Sequence, residues 1–82
     1  MAMIDLTARY FAVFRERAGC ESEAVSTSSQ TAAELFDEVA DRHGFADRRD
    51  RCKVAINGAL AAWDSALAGG DEVLFFPPVA GG

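Results

Sequence analysis

The residues of this chain that could carry chemistry stand together at its end. Phe75-Phe76-Pro77-Pro78-Val79-Ala80-Gly81-Gly82 closes the sequence in order of falling bulk. Pro77 and Pro78 have fixed φ and no N–H, so a strand cannot continue through them. They favour a stiff, extended path instead. Six residues at ~3.3–3.6 Å each reach roughly 20 Å beyond a domain that ends at Phe76. Gly81 and Gly82 have no side chain, so such a tip can enter a channel too narrow for any Cβ. The pattern predicts a tail that delivers its own α-carboxylate, that of Gly82, into the active site of another protein. A carboxylate is a poor electrophile. It must become a mixed anhydride before a nucleophile can displace an oxygen, and glycine shields that acyl carbon least.

The other reactive residue types do not assemble into a site. His43 is the single histidine, with no nucleophile or acid beside it in sequence; it reads as a residue that complements the end of a helix. Cys20 and Cys52 are far apart and belong to no C-x-x-C pair, so neither a metal site nor a disulfide framework is expected. Cys52 reads as a small core residue and Cys20 as a loop residue. No phosphate-binding glycine loop, zinc-protease motif or nucleophile elbow is present. The net charge of −5 excludes an ordinary nucleic-acid binder and suits a basic partner surface. No stretch approaches the ~20 apolar residues of a membrane span. Met1 to Phe14 lacks the basic start and apolar run of a signal peptide, so a cytoplasmic protein is expected.

The elements that must position the tail follow from periodicity. Ile4 to Phe11 alternates, with Ile4, Leu6, Ala8 and Tyr10 on one face and Asp5, Thr7, Arg9 and Phe11 on the other: a half-buried strand. Ala18 to Ser22 reads as a turn, and Glu23 to Thr27 as the hairpin partner of the first strand. Thr31 and Glu34 form a capping box. Behind it Ala32, Leu35, Phe36, Val39, Ala40 and His43 recur at helical spacing. Gly44 is the expected end of that helix, with Phe45 folding back over Ala40. Asp47 to Arg51 reads as a solvated loop, with a partner-binding patch as the weaker alternative. Cys52 to Asn57 is a third strand ended by the Asn57-Gly58 turn, Ala59 to Ala62 pairs back, and Trp63 to Ala68 is loop or a short helical turn. Gly69-Gly70-Asp71 turns the chain into the last strand, Glu72 to Phe76. One helix on a small mixed sheet, with the last strand parallel to the first, is the β-grasp or ubiquitin-like topology. Residues 1–76 form this single α+β domain of four to five strands, and 77–82 the tail.

Alternation also predicts an exposed apolar face. If Leu6, Ala8 and Tyr10 face the helix, Phe11 faces away from it. If Val73 and Phe75 are core, Leu74 and Phe76 are not. Leu60, just past the Asn57-Gly58 turn, is open as well. Burying each such group is worth ~1.5–3 kcal/mol, so a contiguous patch of them marks a partner surface.

These residues resemble a known family. The ending from Gly70 to Gly82, with Phe-Pro-Pro-Val-x-Gly-Gly at its core, is similar to that of the small, sulfur-carrying subunits of molybdopterin synthase. Tyr10-Phe11-Ala12, Phe14-Arg15-Glu16, Val54-Ala55-Ile56-Asn57 and Leu67 extend the likeness along nearly the whole chain. The resemblance implies that an ATP-dependent adenylating enzyme, similar to ubiquitin-activating enzymes, activates the carboxylate of Gly82. Sulfur then replaces the adenylate to give a C-terminal thiocarboxylate. It further implies that the tail residues Pro77, Pro78, Val79, Ala80 and Gly81 thread the large synthase subunit, where sulfur passes to cyclic pyranopterin monophosphate in two rounds. Phe11, Leu60 and Phe76 become the interface, with Arg15 adding polar contacts. No bound cofactor, metal, nucleic acid or membrane is implied, and catalysis rests with the large subunit. The alternatives are a sulfur carrier for thiamine, cysteine or tRNA thiolation, and a ubiquitin-like modifier of lysines.

Overall fold

A computed structural model describes residues 3–78. Five strands and two helices follow one another as β1 (Ile4–Tyr10), α1 (Val13–Ala18), β2 (Ser22–Thr27), α2 (Ala32–His43), β3 (Lys53–Ile56), β4 (Ala59–Ala61) and β5 (Glu72–Phe76), with a 3₁₀ turn at Arg49–Arg51. The sheet order is β2-β1-β5-β3-β4. β5 lies in the middle, parallel to β1 and antiparallel to β3. Residues between β1 and β5 supply the crossover that a parallel pair requires. This is the α+β, ubiquitin-like β-grasp arrangement that the alternation predicts.

The ends of α2 and the turn between β3 and β4 form as their residues predict. The Thr31 hydroxyl accepts from the Glu34 N–H at 3.2 Å, and the Glu34 carboxylate accepts from the Gln30 N–H at 2.7 Å. The capping contacts are thus present, with the return bond taken one residue further out. At the other end of α2, Gly44 takes φ 73, and the N–H groups of Gly44 and Phe45 both reach the Ala40 carbonyl. Asn57 and Gly58 take φ 52 and φ 86, the two positive values of a type I′ turn, and bring Ile56 opposite Ala59.

Leu6, Ala8, Tyr10, Val54, Val73 and Phe75 meet Leu35, Phe36 and Val39 of α2 in the core. Trp63 closes one side. Its ring lies parallel to Phe75 at 6.2 Å and edge-on to Phe36 at 5.3 Å. The irregular stretch after β4 is held by backbone bonds to the start of α2, from Ala33 N–H to the Trp63 carbonyl and from Ala32 N–H to that of Ser65.

Two expectations need correction. The sheet carries two helices rather than one, because Val13–Ala18 forms a short helix between β1 and β2. Six residues cannot sustain a helix by propensity, so no periodicity announces it. Tertiary packing makes it: Phe14 is 1% exposed and its ring stacks on Phe45 at 4.4 Å. Consequently β1 stops at Tyr10, and Phe11 belongs to the connection, not to the strand.

Candidate functional site

The site is the face of the sheet turned away from α2, at the end where β5 runs out. β5 ends at Phe76; Pro77 is half-buried and Pro78 exposed. Val79, Ala80, Gly81 and Gly82, four of the residues expected to form the working tail, lie outside the described residues. The chain just before them is set by strand register. Tyr10 pairs with Phe75, so the residue after each strand position meets its counterpart, and the rings of Phe11 and Phe76 stand 5.7 Å apart.

Register extends this pair into a surface. Arg9 lies opposite Leu74, Leu74 opposite Ala55, and Ala55 opposite Leu60. The row therefore crosses β1, β5, β3 and β4, a span of roughly 14 Å at ~4.8 Å between strands. Leu60 is 75% exposed and Phe11 55% exposed, whereas Ala55 between the two leucines is only 6% exposed. From Leu74 through Ala55 to Leu60 the row is a shallow apolar saddle, with Arg9 and its Glu72 ion pair at the β1 end. Phe76 and Lys53 form the next row, since Lys53 is the Cα partner of Phe76. The structure thus brings Phe11, Leu60 and Phe76 onto one face. Arg15 is exposed on α1, next to Phe14 and four residues past Phe11. Sequence reading missed Lys53 and Val13 as parts of this region and reached Asp47 only through the weaker reading of its loop. Only the strand register places Lys53 beside Phe76, and only α1 brings Val13 to the tail.

A groove of about 460 Å³ runs along the tail's root, between Phe11, Ala12 and Val13 on one side and Phe76, Pro77 and Pro78 on the other, with Asp47 at its edge. Ala12 takes φ 53 and ψ −123, a conformation that costs a residue with a Cβ ~1–3 kcal/mol. The strain is what turns the chain from β1 into α1 and leaves Phe11 facing the tail.

The side chains that can hold a proton lie elsewhere. The Tyr10 hydroxyl donates to Glu23 at 2.5 Å, and His43 Nε2 stands 2.6 Å from the same carboxylate oxygen. Tyr10 is core and Glu23 pairs with inward-facing Ala8, so this network lies on the helix side of the sheet. Burial, then the bond to Glu23 and its charge, push the Tyr10 hydroxyl far above its ordinary range. For Glu23, burial pushes upward, but the hydrogen bonds from Tyr10 and His43 and the charges of His43 and Arg42 prevail and hold the carboxyl below its ordinary value. His43 therefore does more than complement the end of α2: it ties that end to β2. Cys52 is buried, its thiol donates to the Arg48 carbonyl, and burial followed by Asp47 and Asp50 pushes its pKa up to about 11. Cys20 is half-buried against the core. Among the described residues no three potential ligands gather to hold a metal ion. No helix there is long and apolar enough to cross a membrane. Among the described residues, the site is thus an exposed apolar face beside Pro77 and Pro78, flanked by Lys53 and by the Arg9–Glu72 ion pair.

Residues 8–82 match the ThiS family. The chain belongs to that family. It is 37% identical over 76 residues to the molybdopterin synthase sulfur carrier subunit of Escherichia coli K12, covering 89% of this chain and 94% of that one. The protein of the same name from Haemophilus influenzae is 35% identical over 80 residues, covering 94% and 99%. Among solved structures, small archaeal modifier protein 1 of Haloferax volcanii superposes with a TM-score of 0.77 at 28% identity, over 93% of this chain and 99% of that one. Subunit 1 of the molybdopterin-converting factor of Helicobacter pylori, in its complex with subunit 2, gives a TM-score of 0.63 at 24% identity, over 96% and 100%. At that identity the likeness speaks to the shared fold.

Proposed function

We propose that this protein is the sulfur carrier subunit of a molybdopterin synthase, and that the group it carries is the α-carboxylate of Gly82. An adenylating enzyme joins a carboxylate oxygen to the α-phosphorus of ATP, and pyrophosphate leaves. A donor at the level of hydrosulfide attacks the acyl carbon, and AMP leaves with the carbon–oxygen electron pair. The product is a thiocarboxylate, a soft anion that needs no base beside it. In the large subunit its sulfur attacks an oxygen-bearing carbon of cyclic pyranopterin monophosphate, and that oxygen leaves with the carbon–oxygen electron pair. Water then cleaves the acyl–sulfur bond and restores the carboxylate. Two rounds supply the two sulfurs of the dithiolene.

The observation that carries this reading is the Phe11–Phe76 pair at the root of the Pro-Pro segment, continued by Leu74 and Leu60 across the sheet. A partner seated on that face holds the domain still while the tail extends from it. The names of the relatives support the same pathway. The likeness to small archaeal modifier protein 1 favours a second reading, attachment of Gly82 to lysines of other proteins.

The test is intact-mass spectrometry after incubation with adenylating enzyme, ATP and sulfide. The full chain should gain one sulfur in place of one oxygen. A chain lacking Gly82, or one extended by a single residue, should keep its fold and gain none. Full sulfur transfer by an untrimmed extended chain overturns the proposal; lysine-linked adducts without sulfur transfer establish the second reading in its place.

A further inference from the structure

We propose that the groove at the tail's root receives an apolar side chain of the synthase large subunit, flanked there by a Lys or Arg that pairs with Asp47. The inference rests on the function proposed above and adds the chemistry of the contact. Six of the seven residues lining the groove are Phe11, Ala12, Val13, Phe76, Pro77 and Pro78, all apolar; Asp47 is the one ionisable member. Asp47 is half-buried and, among the described residues, has no ion pair and no side-chain hydrogen bond. The adjacent cations are already engaged: Arg48 holds Asp50 at 3.0 Å and Arg49 holds Asp37 at 2.9 Å. In the free protein, water solvates the Asp47 carboxylate. A partner that covers the groove removes that water, and a carboxylate against an apolar wall then requires a cation.

The chemistry of the transfer requires cations in the same region. The thiocarboxylate is an anion and the substrate carries a phosphate, so the subunit that takes the tail must line its route with positive charge. Pro77 and Pro78 line the groove, so that route begins there. Pairing with Asp47 would fix the rotation of the carrier about its tail, a task that the flat apolar saddle performs poorly. Charge pairs of this kind act on specificity and association rate more than on total affinity.

The experiment is a binding titration with the purified large subunit alone, for the wild type, Asp47→Asn, Asp47→Lys and Phe76→Arg, each at low and high salt. Thermal melts run alongside. Asp47→Asn should weaken binding roughly three-fold, and Asp47→Lys about ten-fold or more at low salt, with unchanged melting. Both effects should shrink as salt rises, whereas the loss in Phe76→Arg should persist. If both Asp47 variants bind as the wild type does while Phe76→Arg is weakened, the Asp47 pairing is wrong and the docking face stands. If Asp47→Lys binds more tightly, the partner presents an anion and the pairing is again wrong. If Phe76→Arg also binds normally, the docking face itself is overturned.

Discussion

Replacing Leu60 by alanine separates the docking face from the fold. In the free chain Leu60 is 75% exposed on β4, a three-residue edge strand, so its side chain contributes little to folding. Full burial of a leucine is worth ~1.5–3 kcal/mol, and about three quarters of that is still unspent in the isolated protein. A partner that covers the leucine gains roughly 1–2 kcal/mol from it. Truncation should therefore raise Kd for the large subunit by roughly five- to thirty-fold, at ten-fold per 1.4 kcal/mol. Phe11, 55% exposed and partly covered by Phe76, has a larger side chain but less of it left to bury, so Phe11→Ala should fall in a similar range. Calorimetric titration against the large subunit measures the effect, and a thermal melt of each variant checks the fold. The melting temperature should stay within a degree or two, because few buried contacts are lost. Unchanged affinity in both variants would refute the reasoning, since two residues so exposed and so apolar would then have no partner. A large drop in melting temperature for Leu60→Ala would refute it differently, by showing that β4 depends on this side chain.

Three further outcomes follow from the same structure. Ala12→Gly should raise stability by up to ~1 kcal/mol, since relief of a Cβ at φ 53 outweighs the added freedom of the unfolded chain; a lower denaturation midpoint would show that this backbone is unstrained. Glu23, held below its ordinary 4.5 when folded, contributes stability above that pH and loses it as pH falls through the folded value. Tyr10, raised when folded, contributes below pH 10 and loses that contribution as pH climbs above it. Melts of Glu23→Gln should thus show a flatter acid limb and those of Tyr10→Phe a flatter alkaline limb, and wild-type slopes in both would remove the network from the account. A Cys20→Ser, Cys52→Ser double variant should still acquire sulfur, because neither thiol can follow a tail roughly 20 Å long. In the wild type Cys20 should alkylate before Cys52, whose thiol is buried and raised to about 11. Failure of the folded double variant to take up sulfur would bring a cysteine into the mechanism.

The sequence by itself determined what depends on local rules. The β1, α2, β3 and β5 elements, the Thr31 and Gly44 ends of α2 and the Asn57-Gly58 turn were legible because period, cap and positive φ are properties of neighbouring residues. The inward set Leu6, Ala8, Tyr10, Val73 and Phe75 followed from alternation alone, and with it the opposite set Leu74 and Phe76, whereas Leu60 followed from its place just past the Asn57-Gly58 turn. Tertiary structure decided the rest. Helix α1 is too short to form unaided and exists because Phe14 enters the aromatic core against Phe45 and Phe36. The contact of Phe11 with Phe76 joins residues that are 65 positions apart in sequence, through the parallel β1–β5 register. Lys53 opposite Phe76, Asp47 at the groove and the Tyr10–Glu23–His43 network arise in the same way, from register and packing between distant segments. Periodicity states which way a side chain points; only the pairing of strands and the seating of helices state what it meets.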